Sequence, residues 1–280
     1  MKYFTFFIMS FALLNIWSIF HKEARAEIDP LSEEGVFVAC AENQSYPPYI
    51  MGSNDIFSKQ NPGVLVEIIT AAVEESGLLL KFIRRPWKRC MKLLEQNKID
   101  GIFASIYRQE REVLGRYPLM LNTPNNTPRP DPKRRLHRVV YSLFKNKTSV
   151  FNWNGDTFSS INHSIGTPLG YVVVKKLQED HGIKANTVHL PSKGLRYVAE
   201  GHLDAYVLES NIGRNLIREL NLSDSLIEIK PSFAEYDWYL MISHKLYNAK
   251  PRLAEKIWNA IGDYRESHMQ QLLEHYRTLP

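Results

Sequence analysis

Between Gly35 and Ile106, short apolar runs alternate with longer stretches of helical spacing, and this alternation constrains the chain more than any other feature. Gly35 to Ala41 is almost wholly apolar, as a strand buried on both faces of a parallel sheet must be. Asn61-Pro62-Gly63 announces a helix, with Val64, Leu65, Ile68, Ile69, Ala72 and Val73 at helical spacing to about Ser76-Gly77. Leu78 to Ile83 is a second strand. Pro86 opens a second helix, with Trp87, Met91, Leu93 and Leu94 on its apolar face, and Ile102 to Ala104 is a third strand. Strand, helix, strand, helix, strand is a βαβαβ unit, expected to be parallel with right-handed crossovers.

Open α/β sheets take their ligands beyond the carboxyl ends of the strands, so the residues there are the candidate site. After strand one comes Glu42-Asn43-Gln44-Ser45-Tyr46-Pro47-Pro48-Tyr49. Two prolines stiffen that loop, and Tyr46 and Tyr49 could form an aromatic wall or merely cap the sheet. After strand three come Ser105, Tyr107, Arg108 and Arg111. A guanidinium at that point can grip a carboxylate through two parallel hydrogen bonds; the alternative is a surface ion pair with Glu110 or Glu112.

The same topology places Cys40 near the end of strand one and Cys90 in the first turn of the helix that follows strand two. Neighbouring parallel strands bring both to one edge, so a Cys40–Cys90 disulfide is predicted.

The second half repeats the logic. Ser164 to Tyr171 is a short strand, a turn at Gly170 and a helix start at Tyr171, which offers free N–H groups to an anion unless the glycine is there for steric reasons only. Val188 to Leu190 is a second strand, Ser192 to Glu200 a helix and Leu203 to Leu208 a third strand. Glu209 follows directly; it either receives a ligand ammonium or supplies charge at the next helix start. Tyr236 to Ile242 is the return strand, and Arg252 to Tyr276 supplies helices that return to the first domain. Trp238 and Trp258 are expected in the core. Between the halves, residues 121–138 are rich in Pro, Asn and Arg and form a linker.

The chain begins Met1-Lys2, runs uncharged from Tyr3 to Phe20 and reaches Ala24-Arg25-Ala26. That is the pattern of a secretory signal peptide cleaved after Ala26, or of an uncleaved anchor. Its removal takes away Lys2, Lys22 and Arg25 against Glu23 and lowers the formal charge from +5 to +3. So mild a charge does not argue for nucleic acid. The histidines show no metal-binding spacing, and the chain contains neither a nucleophile elbow nor a Gly-rich phosphate loop, so no metal, cofactor or catalytic nucleophile is predicted.

The order and wording of the motifs resemble the extracellular solute-binding proteins of ABC importers, in the polar-amino-acid branch (bacterial solute-binding protein family 3). The marks are Tyr46-Pro47-Pro48-Tyr49, Gly63, Trp87, Lys98-Ile99-Asp100-Gly101, Glu110-Arg111, and Gly201-His202-Leu203-Asp204-Ala205-Tyr206-Val207-Leu208-Glu209. The resemblance implies a two-lobed periplasmic-binding fold (type II), each lobe a mostly parallel sheet flanked by helices. It divides the chain into a signal peptide at 1–26, lobe 1 at 27–122 and 236–280, a hinge linker at 123–138 and lobe 2 at 139–235. It assigns the ligand cover to Tyr46 or Tyr49, the ligand carboxylate to Arg111 with Gly170 and Tyr171, and the ligand ammonium to Glu209. Trp87, Ser105 and Tyr107 complete the expected binding set. Arg108 stands where the family's Thr-x-x-Arg motif has Thr, and Glu209 where the usual acid is Asp.

The resulting expectation is a monomeric periplasmic protein that captures a small zwitterionic or anionic ligand by hinge closure and hands it to a membrane permease. The alternatives are a dehydratase-like enzyme on the same scaffold and a sensing module for a membrane receptor.

Overall fold

A computed structural model describes residues 35–53, 55–120 and 127–279; the expected signal peptide and part of the expected linker lie outside them. In chain order the first half runs β1 (Val36–Glu42), a hairpin of β2 (Gly52–Ser53) and β3 (Ile56–Phe57), α1 (Val64–Glu75), β4 (Leu79–Arg85), α2 (Trp87–Glu95) and β5 (Gly101–Ile106). After β6 (His137–Asn146) and a second hairpin of β7 (Asn152–Trp153) and β8 (Phe158–Ser159) come β9 (Ile165–Pro168), α3 (Val172–His181) and β10 (Asn186–Val188). Then follow α4 (Pro191–Ala199), β11 (Ala205–Glu209), α5 (Ser210–Glu219), β12 (Leu226–Ile242), α6 (His244–Ala249) and α7 (Pro251–Thr278).

Eight strands join in one sheet, in the order β10-β9-β11-β6-β12-β5-β1-β4. β1 lies parallel between β4 and β5, and β9 lies parallel between β10 and β11. These two triplets are the cores of the two lobes. Between them run β6 and β12, antiparallel to each other, with β6 paired to β11 and β12 paired to β5. Two strands thus cross between the triplets, and α7 carries the chain back to pack on α1.

Local chemistry explains the joints. Gly63 has φ 115°, and a Cβ there would meet the Tyr49 carbonyl oxygen at 2.4 Å, so only glycine lets the Tyr46–Tyr49 loop cross the start of α1. The first turn of α1 then donates Val64 N–H to Pro48 O (3.0 Å) and Leu65 N–H to Tyr49 O (3.1 Å), which satisfies helix-start donors that otherwise lack partners. Arg84, wholly buried, donates to four main-chain carbonyls: Glu42 (3.1 Å), Gln44 (2.8 Å), Met51 (3.4 Å) and Ile56 (2.7 Å). A guanidinium satisfied on this scale fixes the loop over the end of β1.

The structure departs from expectation in three places. β12 is longer than the predicted return strand and starts at Leu226; Pro231 and a shift of register between Ile229 and Ala234 interrupt its pairing with β6, which disguises the first part as a loop. β10 stops at Val188, because Pro191 begins α4. β5 carries a bulge: Ala104 has φ 59° and the pairing with β12 slips between Tyr239 and Met241. The extra residue turns Ile102 and Ser105 to one face and Phe103 and Ile106 to the other.

Candidate functional site

The lobes meet around a small cavity of ≈ 40 Å³. Lobe 1 contributes Glu42, Tyr46, Tyr49, Trp87, Phe103, Ala104, Ile106 and Arg111; the crossing strands contribute Tyr141 and Trp238; lobe 2 contributes Tyr171, Val172 and Ile212. At roughly 10–15 Å³ per water, this is room for a few waters and not for an amino acid.

Arg111 is held by the 3₁₀ turn Gln109–Val113. Its Nη1 donates to Ile106 O in its own lobe (2.9 Å) and its Nη2 to Gly170 O in the other (3.2 Å). The guanidinium carbon lies 5.9 Å from the Trp87 ring centroid, within cation–π range. Each terminal nitrogen keeps a second N–H, the fork that a carboxylate needs.

Two further tyrosine–carboxyl pairs cross the cleft in opposite directions. Tyr171 Oη of lobe 2 donates to Glu42 Oε2 of lobe 1 (3.0 Å). Tyr49 Oη of lobe 1 donates to Glu209 Oε1 of lobe 2 (3.4 Å) while accepting from Asn211 Nδ2 (2.7 Å). Burial raises Glu42 to about 7, opposed by the Tyr171 hydroxyl, then by nearby Tyr46 and the Arg84 charge. Burial likewise raises Glu209 to about 7, opposed by the main-chain N–H groups of Ile212 and Asn211, the Arg214 charge and Tyr49. At the rim, Asn215 Nδ2 donates to Pro47 O (2.7 Å), Arg108 pairs with Glu110 (2.9 Å) and Glu179 (2.8 Å), and Lys175 pairs with Glu110. Exposed pairs of this kind contribute about 0–1 kcal/mol each.

Of the expected binding residues, Tyr46, Tyr49, Trp87, Arg111 and Tyr171 line the cavity, and Gly170 meets Arg111 through its carbonyl. Three stand elsewhere. Ser105 is fully buried on the opposite face of β5, where it bonds Tyr117 Oη (2.6 Å), which in turn donates to Ile106 O (3.0 Å). The bulge at Ala104 sends it there. Tyr107 donates to Glu112 Oε1 (2.8 Å) and packs edge-on against Tyr117, away from the cavity. Glu209 sits behind Tyr49 and caps α5 by accepting from Ile212 N–H (2.9 Å). Sequence reasoning missed Phe103, Tyr141 and Ile212. Trp238 and Trp258 are both core, as expected; Trp258 donates to Leu240 O, and Trp238 also lines the cavity. The signal for Glu42 was its place directly after a buried strand.

The raised carboxyls have a pH signature. A folded-state value above the ordinary 4.5 means that the folded protein binds more protons than the unfolded chain between pH 4.5 and 7, so stability falls as pH rises through that window and levels off above it. For Glu209, buried to 1% exposure, the loss is about 3 kcal/mol. Glu209→Gln is expected to remove that share of the slope, seen in thermal unfolding from pH 4 to 8.5; equal slopes in variant and parent would contradict it.

No protein-family model matches the chain, and no curated protein matches it. Solved structures do. A histidine kinase sensor domain with similarity to periplasmic binding proteins superposes with a TM-score of 0.65 at 17% identity, over 86% of this chain and 94% of that one. The amino-acid ABC transporter substrate-binding protein AbpA from Streptococcus pneumoniae, bound to L-arginine, gives 0.65 at 13% over 89% and 97%. The ancestral amino-acid-binding protein AncCDT-1, a precursor of cyclohexadienyl dehydratase, gives 0.60 at 15% over 86% and 95%. These matches run over nearly the full length of each neighbour and through both lobes. By architecture, strand order and these neighbours, the chain has the two-lobed, type II periplasmic-binding-protein fold.

Proposed function

We propose that this chain is a periplasmic solute-binding protein that captures a small zwitterionic or anionic, amino-acid-like ligand by hinge closure. It is exported through a signal peptide cleaved after Ala26 and works as a monomer without a cofactor. Lobe 1 comprises residues 27–122 and 236–280, lobe 2 residues 139–235. The closed form docks on an ABC permease. A sensor domain among the structural neighbours supports a second reading, in which the closed form signals to a membrane receptor instead.

The observation that carries the proposal is Arg111, whose guanidinium lies on the cavity wall in lobe 1 and bonds the main chain of lobe 2. A carboxylate held there touches both lobes only when they are together, so binding shifts the population toward closure. Fluorimetric thermal-shift screening of amino acids, short peptides and organic acids tests the idea. A ligand at about 100 times its dissociation constant adds about 2.7 kcal/mol, or roughly 5–10 °C for a chain this size. The same ligand should contract the radius of gyration in small-angle scattering. A full panel that moves neither quantity would sink the proposal.

A further inference from the structure

The cavity wall carries a second polar group besides Arg111. Glu42, at the end of β1, and Tyr46 face Tyr171 at the start of α3, and the Tyr206 hydroxyl of β11 comes close enough to Glu42 for their charges to interact. Tyr46 and Tyr206 are 5% and 0% exposed, yet neither hydroxyl makes a hydrogen bond; Tyr46 Oη lies beside Glu42 and Tyr171 without well-formed geometry to either. Buried hydroxyls are normally partnered, so this cluster is set for a hydrogen-bonding group that arrives from outside.

Charge decides which group. The buried Arg84 guanidinium already stands behind Glu42, donating to its main-chain carbonyl (3.1 Å), and a ligand ammonium would bring a second cation beside it. The other candidate ammonium seat is filled from within: Glu209 accepts from Ile212 N–H (2.9 Å), Asn211 Nδ2 (3.4 Å) and Tyr49 Oη (3.4 Å), and is absent from the cavity wall. The rest of the wall includes the rings of Trp87, Phe103, Tyr141 and Trp238, which suit a flat apolar body.

We propose that the ligand is a monoanion without an ammonium group: a carboxylate at Arg111, a flat apolar body against the aromatic walls, and an uncharged hydroxyl or carbonyl at Glu42, Tyr46 and Tyr171. This rests on the reading of the cavity as a solute site. A hydroxyl there both accepts from Tyr46 and donates to Glu42; an amino acid's ammonium can donate to Glu42 but has no lone pair to accept from Tyr46.

Calorimetric titration with phenylacetate, 4-hydroxyphenylacetate, L-tyrosine and L-arginine, on the parent protein, Tyr46→Phe and Arg111→Ala, is the test. The hydroxylated acid is expected to bind about tenfold more tightly than phenylacetate, and more tightly than either amino acid. Tyr46→Phe should erase that gap, leave phenylacetate unchanged and raise the melting temperature of the ligand-free protein, because it removes an unpartnered buried hydroxyl. Tighter binding of either amino acid, lost in Arg111→Ala, would overturn the inference while leaving solute capture standing. A gap that survives Tyr46→Phe would overturn the inference alone. Failure of all four to bind would overturn the inference, and capture falls with it only if the wider screen is also silent.

Discussion

Replacing Arg111 with alanine is expected to cost about 2–5 kcal/mol of affinity for the carboxylate ligand, or roughly 30- to 4,000-fold in dissociation constant. The size follows from where the group sits. Its Nη1 is anchored on Ile106 O and its Nη2 on Gly170 O, while Tyr117, locked by Ser105, shares the Ile106 carbonyl and stiffens that side. The fork is therefore pre-organised, and a ligand carboxylate gains two charge-assisted bonds without ordering a floppy side chain. Arg111→Lys keeps the charge and loses the fork, so it should fall between parent and alanine. Because the side chain is partly exposed, the melting temperature of the ligand-free variants should stay close to the parent's. Calorimetry with the ligand that the screen identifies measures the effect; affinities within twofold of the parent would remove Arg111 from the site.

How much of this was legible beforehand depends on where the information resides. β1, the centre of the triplet β4-β1-β5, was readable because a strand covered on both faces must be apolar throughout, and Val36–Ala41 is. The loop tyrosines and Arg111 were readable because the end of a strand is a fixed address in this architecture. Ser105 was expected beyond a strand ending at Ala104, but β5 runs on to Ile106, and the bulge at Ala104, whose left-handed φ is uncommon for a residue with a Cβ, turns Ser105 to the face opposite the cavity. Tyr141 and the cavity-facing side of Trp238 were hidden for a different reason. Both lie on the crossing strands, and whether a residue there faces core or cleft is settled by how two lobes meet, a property of no local segment. Glu209 kept two readings in the sequence, and the structure displays the helix cap, with Tyr49 interposed before the cavity.

Loss of the Cys40–Cys90 bond is the change expected to weaken the fold most. The two residues, 50 apart in sequence, are bonded with Cα atoms 5.6 Å apart, and both are wholly buried. Constraining a loop of that length removes about 4 kcal/mol of freedom from the unfolded chain in the entropy model. For a chain of this size, Cys40→Ala with Cys90→Ala should lower the melting temperature by roughly 8–16 °C in scanning calorimetry. The consequence reaches the site, because the bond ties α2 to β1 and α2 begins with Trp87, the ring that walls the cavity and faces Arg111. A freed α2 should weaken ligand binding as well as folding, whereas Arg111→Ala weakens binding alone. The native protein should resist mild reductant, since no sulfur is accessible until α2 lifts from the sheet, and yield its thiols once heated or denatured. A double alanine variant that melts within 2 °C of the parent would show that packing of Val38, Leu94, Ile102 and Met241 around the bond already holds α2 in place.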